Sequence, residues 1–440
     1  MKCPFQSVLA LIVLPALAAA QSTVRVSLSD TGLEGHGASW QESISANGRF
    51  LAFHSYAYNL VPGDLNAESD IFVRDLVRGR TRVASVNPMG LTGNGGSEHP
   101  ALSDNGRWLA FFSEADDLVA GDTNGAGDVF VRDLRFGVTV RASVDSSGNQ
   151  GLGASGAVRG PAISADGRRV AFYSLAPNLV VDDTNDTWDV FVHDLFTGVT
   201  RRVSVSSSGQ EASNVLVPAA APSLSADGRY VAFEFSGDTL VPSDTNGRPD
   251  VFVHDLETGT TTRVSVGPSG TESQFGAQEP SISATGRYVA FTSTSNDLVP
   301  GDGNNGADVF VHDRRTKRNV LASVGNHGEQ ADFGCRYPVL SRNGRFVAFE
   351  SLASTLVPGD TNSKTDLFLR DLVQDETIRL NLASDGSQSD RSCYGITMTA
   401  NAHAFAFWTA ASLVDDDTNE TLDVFLRRLD GHPTPGPRGR

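Results

Sequence analysis

Short apolar runs separated by polar turns recur along almost the whole chain. A typical pair is the run 230–235, YVAFEF, and the run 250–255, DVFVHD. These runs are too short for helices, and their content of valine and phenylalanine favours strands. Because both faces of each run carry apolar residues, we expect sheets that are covered on both sides. The pattern therefore predicts an all-β fold of stacked sheets.

The chain repeats itself with a period close to 58 residues. A Gly-Arg pair, or a turn in its place, returns at spacings of 58 or 61 residues. The seven turn positions are Gly48, Gly106, Gly167, Gly228, Gly286, Gly344 and Ala402. Repeats of this length with several strands each are typical of β-propellers, in which each repeat forms one blade around a central axis. The sequence therefore predicts a seven-bladed β-propeller.

Each repeat contains four predicted strands, which we name A to D. Strand A is short and ends in an apolar residue, such as Ile282, just before a tight turn. Strands B and C each carry one phenylalanine that returns in all seven repeats, and strand D resembles the segment 262–266, TRVSV. The recurring phenylalanines are Phe53, Phe111, Phe172, Phe233, Phe291, Phe349 and Phe407 in strand B, and Phe72, Phe130, Phe191, Phe252, Phe310, Phe368 and Phe425 in strand C. Large aromatic side chains at constant strand positions indicate a core.

The two ends of the chain indicate how the ring closes. The seventh repeat stops after strand C, near Leu429, and lacks a strand D. Residues 23–28, TVRVSL, match strand D but precede the first blade. We therefore expect them to complete the last blade, which removes two exposed sheet edges. This gives one propeller domain over residues 21–430, followed by a disordered tail over residues 431–440.

A charge pattern supports the pairing of strands B and C. An arginine opens strand B and an aspartate closes strand C in six repeats, which places the two groups at the same end of an antiparallel pair. The predicted ion pairs are Arg49–Asp75, Arg107–Asp133, Arg168–Asp194, Arg229–Asp255, Arg287–Asp313 and Arg345–Asp371. In the seventh repeat His403 and Arg428 replace both partners at once, either because the pair is lost as a unit or because terminal repeats degenerate.

Residues 1–20 have the composition of a secretory signal peptide. Lys2 precedes an apolar run over residues 8–17, and small residues follow at 18–20. A buried N-terminal helix is the alternative. We expect an exported protein, either periplasmic or secreted, that has no membrane span and is a monomer. The net charge of −17 argues against nucleic acid as a partner.

The segment 225–233, SADGRYVAF, together with the DVFV of strand C, resembles the WD40-like repeat of TolB-type propellers. The resemblance extends over about 410 residues and departs from that family in the long acidic loop between strands B and C. It implies a binding scaffold in the cell envelope. Similar repeats also occur in propellers of some peptidases and polysaccharide lyases, so the fold alone does not assign the function.

Each loop between strands B and C contains Asp, one residue, Asn, three residues and Asp. Clustered oxygen ligands of this kind suit Ca²⁺, although carbonyls or water must complete its shell. The alternative is structural, because Asp and Asn side chains also hold turns by bonding backbone N–H groups, and seven equal copies favour this interpretation. The residues are Asp64, Asn66 and Asp70; Asp122, Asn124 and Asp128; Asp183, Asn185 and Asp189; Asp244, Asn246 and Asp250; Asp302, Asn304 and Asp308; Asp360, Asn362 and Asp366; and Asp417, Asn419 and Asp423.

Two cysteines follow the predicted signal peptide, Cys335 and Cys393, at equivalent positions of adjacent repeats. Export allows a disulfide between them if they approach near the channel, and two free buried thiols are the alternative.

Two functions remain open on the sequence. The first is a non-enzymatic propeller that binds a protein or polysaccharide ligand on the face carrying the B–C and D–A loops. The second is an extracellular carbohydrate-active enzyme, a polysaccharide lyase or hydrolase, with its site at the channel mouth. No recurring catalytic motif selects a catalytic residue, and we expect no cofactor other than calcium. His99, Arg336 and Tyr337 depart from the repeat and are the residues that an enzyme would need.

Overall fold

The structure is a computed structural model that describes residues 21–156, 160–212 and 221–429. It contains seven four-stranded antiparallel sheets arranged as the blades of a propeller. The described residues include no helix, and so none that is long and apolar enough to span a membrane. The predicted signal peptide (1–20) and tail (431–440) lie outside the described residues. The seven-bladed fold is confirmed.

The strands run in the order A to D within each blade. Blade 1 contains β2 (Ser39–Ile44), β3 (Phe50–Ser55), β4 (Asp70–Asp75) and β5 (Arg80–Val83). Blade 2 contains β6 (Ser97–Leu102), β7 (Trp108–Ser113), β8 (Asp128–Asp133) and β9 (Val138–Arg141). Blade 3 contains β10 (Ala162–Ile163), β11 (Arg169–Ser174), β12 (Asp189–Asp194) and β13 (Val199–Arg202). Blade 4 contains β14 (Ser223–Leu224), β15 (Tyr230–Phe235), β16 (Asp250–Asp255) and β17 (Thr260–Arg263).

The other three blades follow the same plan. Blade 5 contains β18 (Gln278–Ile282), β19 (Tyr288–Ser293), β20 (Asp308–Asp313) and β21 (Arg318–Leu321). Blade 6 contains β22 (Cys335–Leu340), β23 (Phe346–Ser351), β24 (Asp366–Asp371) and β25 (Glu376–Arg379). Blade 7 contains β26 (Cys393–Met398), β27 (Ala404–Thr409) and β28 (Asp423–Arg428), and its fourth strand is β1 (Ser22–Arg25).

The N-terminal strand closes the ring, as the sequence predicts. Strand β1 lies antiparallel to β28, with Val24 opposite Leu426. The contact continues beyond the strand, because Val26 donates its N–H to the carbonyl of Val424 at 2.7 Å and the Ser27 hydroxyl bonds Asp423. Residues from opposite ends of the chain thus complete one sheet, and β1 covers the edge that β28 would otherwise expose.

The recurring phenylalanines form the core between blades. In blade 2 Phe111 lies directly opposite Phe130, their rings are stacked with centroids 5.9 Å apart, and both side chains are fully buried. This pair packs against Ala52 and Val73 of blade 1, so each blade covers its neighbour. The other six pairs stack in the same way, at centroid distances of 5.8 to 6.1 Å.

The six predicted ion pairs between strands B and C are present. Their shortest N–O distances run from 2.5 Å in blade 6 to 2.9 Å in blades 1 and 3. Each aspartate also accepts backbone N–H groups of the turn between strands C and D; Asp194, for example, bonds the N–H groups of Phe196 and Thr197. Although burial alone would raise it, the Arg168 guanidinium and these bonds lower the pKa of Asp194 to about 2. The pair therefore fixes the turn as well as the two strands.

Both cysteines are buried free thiols, and the disulfide that the sequence allows is not formed. Strand A extends further towards its N-terminus than predicted, so each cysteine is the first residue of a strand A instead of a loop residue. Cys335 lies opposite Ser351, and Cys393 lies opposite Thr409. In blade 1 the equivalent position is Ser39, which lies opposite Ser55. The two thiols therefore occupy equivalent positions in the separate sheets of blades 6 and 7.

The turns between strands A and B are joined to one another at one end of the blades. Six backbone hydrogen bonds of 2.9 to 3.3 Å link equivalent turn residues of successive blades, from Asp104 of blade 2 round to Ala46 of blade 1, into a nearly complete ring. The ring residues are Ala46, Asp104, Ala165, Ala226, Ala284, Arg342 and Ala400. Asp104 in blade 2 and Arg342 in blade 6 form an ion pair across this ring. We call this end the closed end of the channel.

Candidate functional site in the channel wall

Strand A contains a bulge in five of the blades, towards the end of the channel opposite the closed end. In blade 1 the pairing with strand B shifts between Trp40 and Ser43, and Gln41 has a positive φ of 51°. The equivalent bulge residues are Gln41, His99, Glu279, Tyr337 and Gly395. A left-handed conformation at residues other than glycine needs a surrounding structure that enforces it, and bulges of this kind are frequent beside binding sites.

The residues around these bulges differ from blade to blade, whereas the layers below them repeat. The layer consists of the strand A residue just before the bulge residue, the bulge residue itself and the fifth residue of strand B. The cross-strand pairs are Trp40–His54, Glu98–Phe112, Gln278–Thr292, Arg336–Glu350 and Tyr394–Trp408. We name these pairs and the five bulge residues the variable layer. His99, Arg336 and Tyr337, which the sequence singles out, all belong to it.

Blades 7 and 1 contribute adjacent aromatic surfaces to the variable layer. In blade 1 the Trp40 ring lies edge-on to His54 at 4.3 Å and beside Tyr56 at 5.6 Å. In blade 7 the rings of Tyr394 and Trp408 are 4.9 Å apart. Tyr56 and Tyr394 are 47% and 36% exposed, so the aromatic surface is open to solvent.

Gly395 and Glu42 join the two aromatic surfaces. A Cβ on Gly395 would lie 2.4 Å from Nε1 of Trp408 and 3.3 Å from Oε1 of Glu42. The glycine is therefore needed for the close approach of these side chains, in addition to its positive φ of 58°. The carboxyl group of blade 1 thus lies against the aromatic pair of blade 7.

Carboxylates of the variable layer hold the bulge of the next blade. Glu350 accepts the N–H of Gly395 at 2.7 Å, and Glu279 accepts the N–H of Tyr337 at 2.7 Å. Glu234 of blade 4 accepts the N–H of Glu279 at 3.1 Å in the same way. These bonds give the carboxylates a structural role, since they satisfy amides that the bulge removes from the strand ladder.

Glu42, which follows the bulge residue Gln41, has a carboxyl oxygen without a partner among the described residues. Its Oε2 is buried and has no hydrogen-bond partner among the described residues. Burial raises the pKa of Glu42 to about 8, and the Glu350 carboxyl adds to the increase. Five of the other blades have proline at the equivalent position of strand A, for example Pro100 and Pro338. Glu42 therefore carries a proton at neutral pH beside the aromatic surfaces.

His54 is the second unsatisfied polar side chain here. It is fully buried beneath Trp40, and neither ring nitrogen has a hydrogen-bond partner among the described residues. Burial lowers the pKa of His54 to about 3, and His99 of the next blade adds to the decrease. The imidazole is thus neutral, with one donor and one acceptor that no described residue satisfies, buried behind Trp40.

The predicted loop residues have a different environment, away from the channel. In six loops the asparagine donates from Nδ2 to a carbonyl 27 residues further along, as Asn66 does to Gly93 at 2.8 Å, and in blade 7 Asn419 donates to the carbonyl of Gly35 at 2.9 Å. Its Oδ1 accepts a backbone N–H two residues on, as from Glu68. The B–C and D–A loops therefore touch one another, and the asparagine side chain is engaged in the turn.

In five blades a strand D arginine lies between the two aspartates of the loop. Arg263 of blade 4 has Nη1 at 3.5 Å from Asp244, 3.3 Å from Asp250 and 2.9 Å from Glu272. These three acids are close enough together for a metal ion, but the guanidinium already neutralises them. The equivalent arginines are Arg25, Arg141, Arg202, Arg263 and Arg379. The sequence shows an arginine in strand D, but not that it reaches the loop.

Comparison with solved structures shows the propeller fold. An oligogalacturonate lyase in complex with manganese is 12% identical, with a TM-score of 0.57 and coverage of 94% of both chains. The oligogalacturonate lyase of Vibrio parahaemolyticus is 12% identical, with a TM-score of 0.53 and coverage of 93% of this chain and 97% of that one. TolB of Acinetobacter baumannii is 15% identical at a TM-score of 0.39, over 71% of this chain and 59% of its own length.

The two lyase structures, with TM-scores above 0.5, confirm the propeller fold. No family model matches the chain, and no curated protein matches it either. Identities of 12 to 15% carry neither activity nor ligand from these structures to this chain.

Proposed function

We propose that this chain is an exported binding propeller that takes a carbohydrate chain at the variable layer of its channel. The observation that carries the proposal is the pair of neighbouring aromatic surfaces, Trp40 with Tyr56 and Tyr394 with Trp408. They lie where the seven blades cease to be equivalent, while the rest of each blade repeats. A site for one asymmetric ligand requires such a break in symmetry.

The chemistry of the layer suits a sugar. Open aromatic faces offer apolar contact to the C–H faces of pyranose rings, and convergent polar groups fix the orientation of a ligand. The unsatisfied polar atoms of Glu42 and His54 are buried directly behind these aromatic side chains, and exposed Arg336 supplies a cation in blade 6. The ion pair of Asp104 and Arg342 closes the opposite end, so the ligand enters from the end with the B–C loops.

The test measures equilibrium binding of neutral and acidic oligosaccharides by tryptophan fluorescence and by calorimetry. Trp40→Ala and Trp408→Ala are expected to weaken binding at least tenfold, because each removes one aromatic face. Phe196→Ala is the control, since Phe196 is 85% exposed on a C–D turn at the other side of the propeller. Binding that is unchanged in both tryptophan variants would exclude this layer as the site.

Export is a further part of the proposal and rests on the sequence of residues 1–20. Expression of the full chain in a bacterium, followed by fractionation and N-terminal sequencing, is expected to find a chain that begins near residue 21 outside the cytoplasm. A cytoplasmic protein that retains residue 1 would contradict it.

A second candidate function is cleavage of a polysaccharide, and protonated Glu42 is the observation that favours it. A buried carboxyl group with a pKa of about 8 can donate a proton to a leaving group at neutral pH. Incubation with acidic and neutral polysaccharides is followed by assays for unsaturated and for reducing ends. The binding proposal predicts no cleavage. Cleavage by the wild type that disappears in Glu42→Gln would show that the protein is an enzyme instead of a binding protein.

A further inference from the structure

Blade 5 lacks the arginine that neutralises the loop aspartates in other blades. In blade 3 Arg202, which lies opposite the strand C residue Phe191, has Nη1 at 3.0 Å from Asp183 and 3.4 Å from Asp189. In blade 5 the residue in this register is Leu321, opposite Phe310. Leucine is apolar and shorter, so strand D of this blade supplies no cation to the two aspartates of the loop.

The aspartates of blade 5 have unsatisfied oxygens as a result. Asp308 is fully buried; its Oδ1 accepts the hydroxyl of Ser323 at 2.6 Å, but its Oδ2 has no hydrogen-bond partner among the described residues. Oδ1 of Asp302 is also buried without a partner. Asn304, whose equivalents donate to the last aspartate in the other blades, here donates to Ala331 at 3.1 Å. A buried carboxylate in this state must bind a cation or take up a proton.

Other oxygens surround the place that the guanidinium takes elsewhere. In blade 3 Arg202 Nη2 donates to the carbonyl of the residue before the first aspartate, Asp182, at 2.6 Å. The equivalent carbonyl in blade 5 belongs to Gly301. The side chain of Gln330 lies beside it, with Nε2 at 2.9 Å from the Gly301 oxygen and Oε1 at 3.2 Å from the Gly303 nitrogen. The Gly301 carbonyl and the Gln330 amide therefore belong to the same loop cluster as the two aspartates.

We propose that blade 5 binds one calcium ion between Asp302 and Asp308, in the position that an arginine guanidinium takes in five other blades. Calcium takes six to eight oxygen ligands in irregular geometry, which two carboxylates, the Gln330 amide, the Gly301 carbonyl and water supply.

Blade 1 shows why the proposal is confined to blade 5. Val83 replaces the arginine there too, opposite Phe72. Both oxygens of Asp70 are already satisfied, however, one by Ser85 at 2.5 Å and the other by Asn66 at 2.8 Å. The loop of blade 1 is therefore closed by its own hydrogen bonds.

The test uses calcium alone on chelator-treated protein, with equilibrium dialysis and calorimetry to count bound ions. Leu321→Arg inserts the side chain that five sibling blades carry, and it is expected to remove one bound calcium ion per chain. Val320→Arg is the matched control, because it adds the same charge to the same strand at a residue that is 52% exposed. This control is expected to keep the ion.

A second variant and a second readout keep the test independent of folding. Asp308→Asn retains the shape of the side chain and is expected to lose the same ion. Millimolar calcium is expected to raise the Tm of the wild type and of Val320→Arg by about 2–5 °C, and to leave Leu321→Arg unchanged. Equal calcium binding by the wild type and Leu321→Arg, or none by the wild type, would overturn the proposal, and so would equally tight binding of Mg²⁺.

Discussion

Glu42 is expected to make the stability of the protein fall as the pH rises through neutrality. In an unfolded chain a glutamate titrates near pH ~4.3. In the folded protein burial, and then the Glu350 carboxyl, raise the pKa of Glu42 to about 8. Between these values the folded state holds one proton more than the unfolded state, so unfolding becomes easier as the pH increases. The contribution is complete below the unfolded pKa and is lost as the pH approaches the folded one.

The magnitude follows from the size of the pKa shift. One extra proton in the folded state corresponds to about 1.4 kcal/mol of free energy of unfolding per pH unit. Between pH 6 and pH 8, allowing for partial ionisation near the upper limit, the loss from this group is about 2 kcal/mol. Glu42→Gln keeps the size of the protonated acid and removes the titration, so its curve is expected to be flatter by that amount.

The assay is urea unfolding of the wild type and Glu42→Gln at a series of pH values from 5 to 9. Burial also raises the pKa of Glu350 to about 8, but this group is present in both proteins, so the difference between them reports Glu42. Glu376→Gln, at an exposed residue of β25, is the control and is expected to follow the wild type. Parallel curves for the wild type and Glu42→Gln across pH 6 to 8 would refute the protonated state of Glu42.

Three further predictions test the fold. Deletion of residues 21–28 removes the fourth strand of blade 7. We expect a large fall in the Tm measured by circular dichroism and oligomers in size-exclusion chromatography. A monomer of unchanged Tm would contradict the closure of the ring. Phe111→Ala is expected to reduce the free energy of unfolding by about 3–5 kcal/mol in urea titrations, while Phe136→Ala, at an exposed residue, changes it by less than about 0.5 kcal/mol; equal effects would contradict the core. Burial raises the pKa of the Cys335 thiol to about 12 and that of Cys393 to about 11, so neither is expected to react with a thiol reagent at pH 8 in the folded protein. After denaturation both thiols are expected to react. Failure of these two cysteines to react after denaturation would show a disulfide between them.

The sequence predicts the repeating part of the structure because each repeat reports the same local rule seven times. The phenylalanines of strands B and C, the ion pairs of the Arg107–Asp133 type and the closure by β1 all depend on residues at constant positions. Such constant positions can be found in a single sequence because its seven repeats can be aligned with one another.

The channel wall was not predicted because it is the part that does not repeat. The bulge at Gln41 lengthens strand A beyond the predicted segment and turns different residues into the channel in each blade. Glu42 and His54 gain their unusual environments from a neighbouring blade or a cross-strand ring. The spacing of residues along the sequence shows neither the contact with a neighbouring blade nor the cross-strand ring contact. One signal was available: five other blades have proline where blade 1 has Glu42.

Only part of the environment of the acidic loops could be predicted from the sequence, for a related reason. The recurring aspartates predict a cluster of negative charge, and the structure confirms that they converge. The arginine that neutralises them belongs to strand D, 13 residues after the last aspartate, as Arg263 is after Asp250. Its absence at Leu321 has meaning only once the register of β20 and β21 is known.

Hydroxyl-radical footprinting of the protein with the oligosaccharide that binds best tests the central claim most directly. The account predicts that the ligand protects Trp40, Tyr56 and Tyr394 from oxidation and leaves Phe136 and Phe196, on the opposite side, as reactive as in the free protein. Protection of those two outer phenylalanines, with the channel aromatics unchanged, would contradict a binding site in the variable layer.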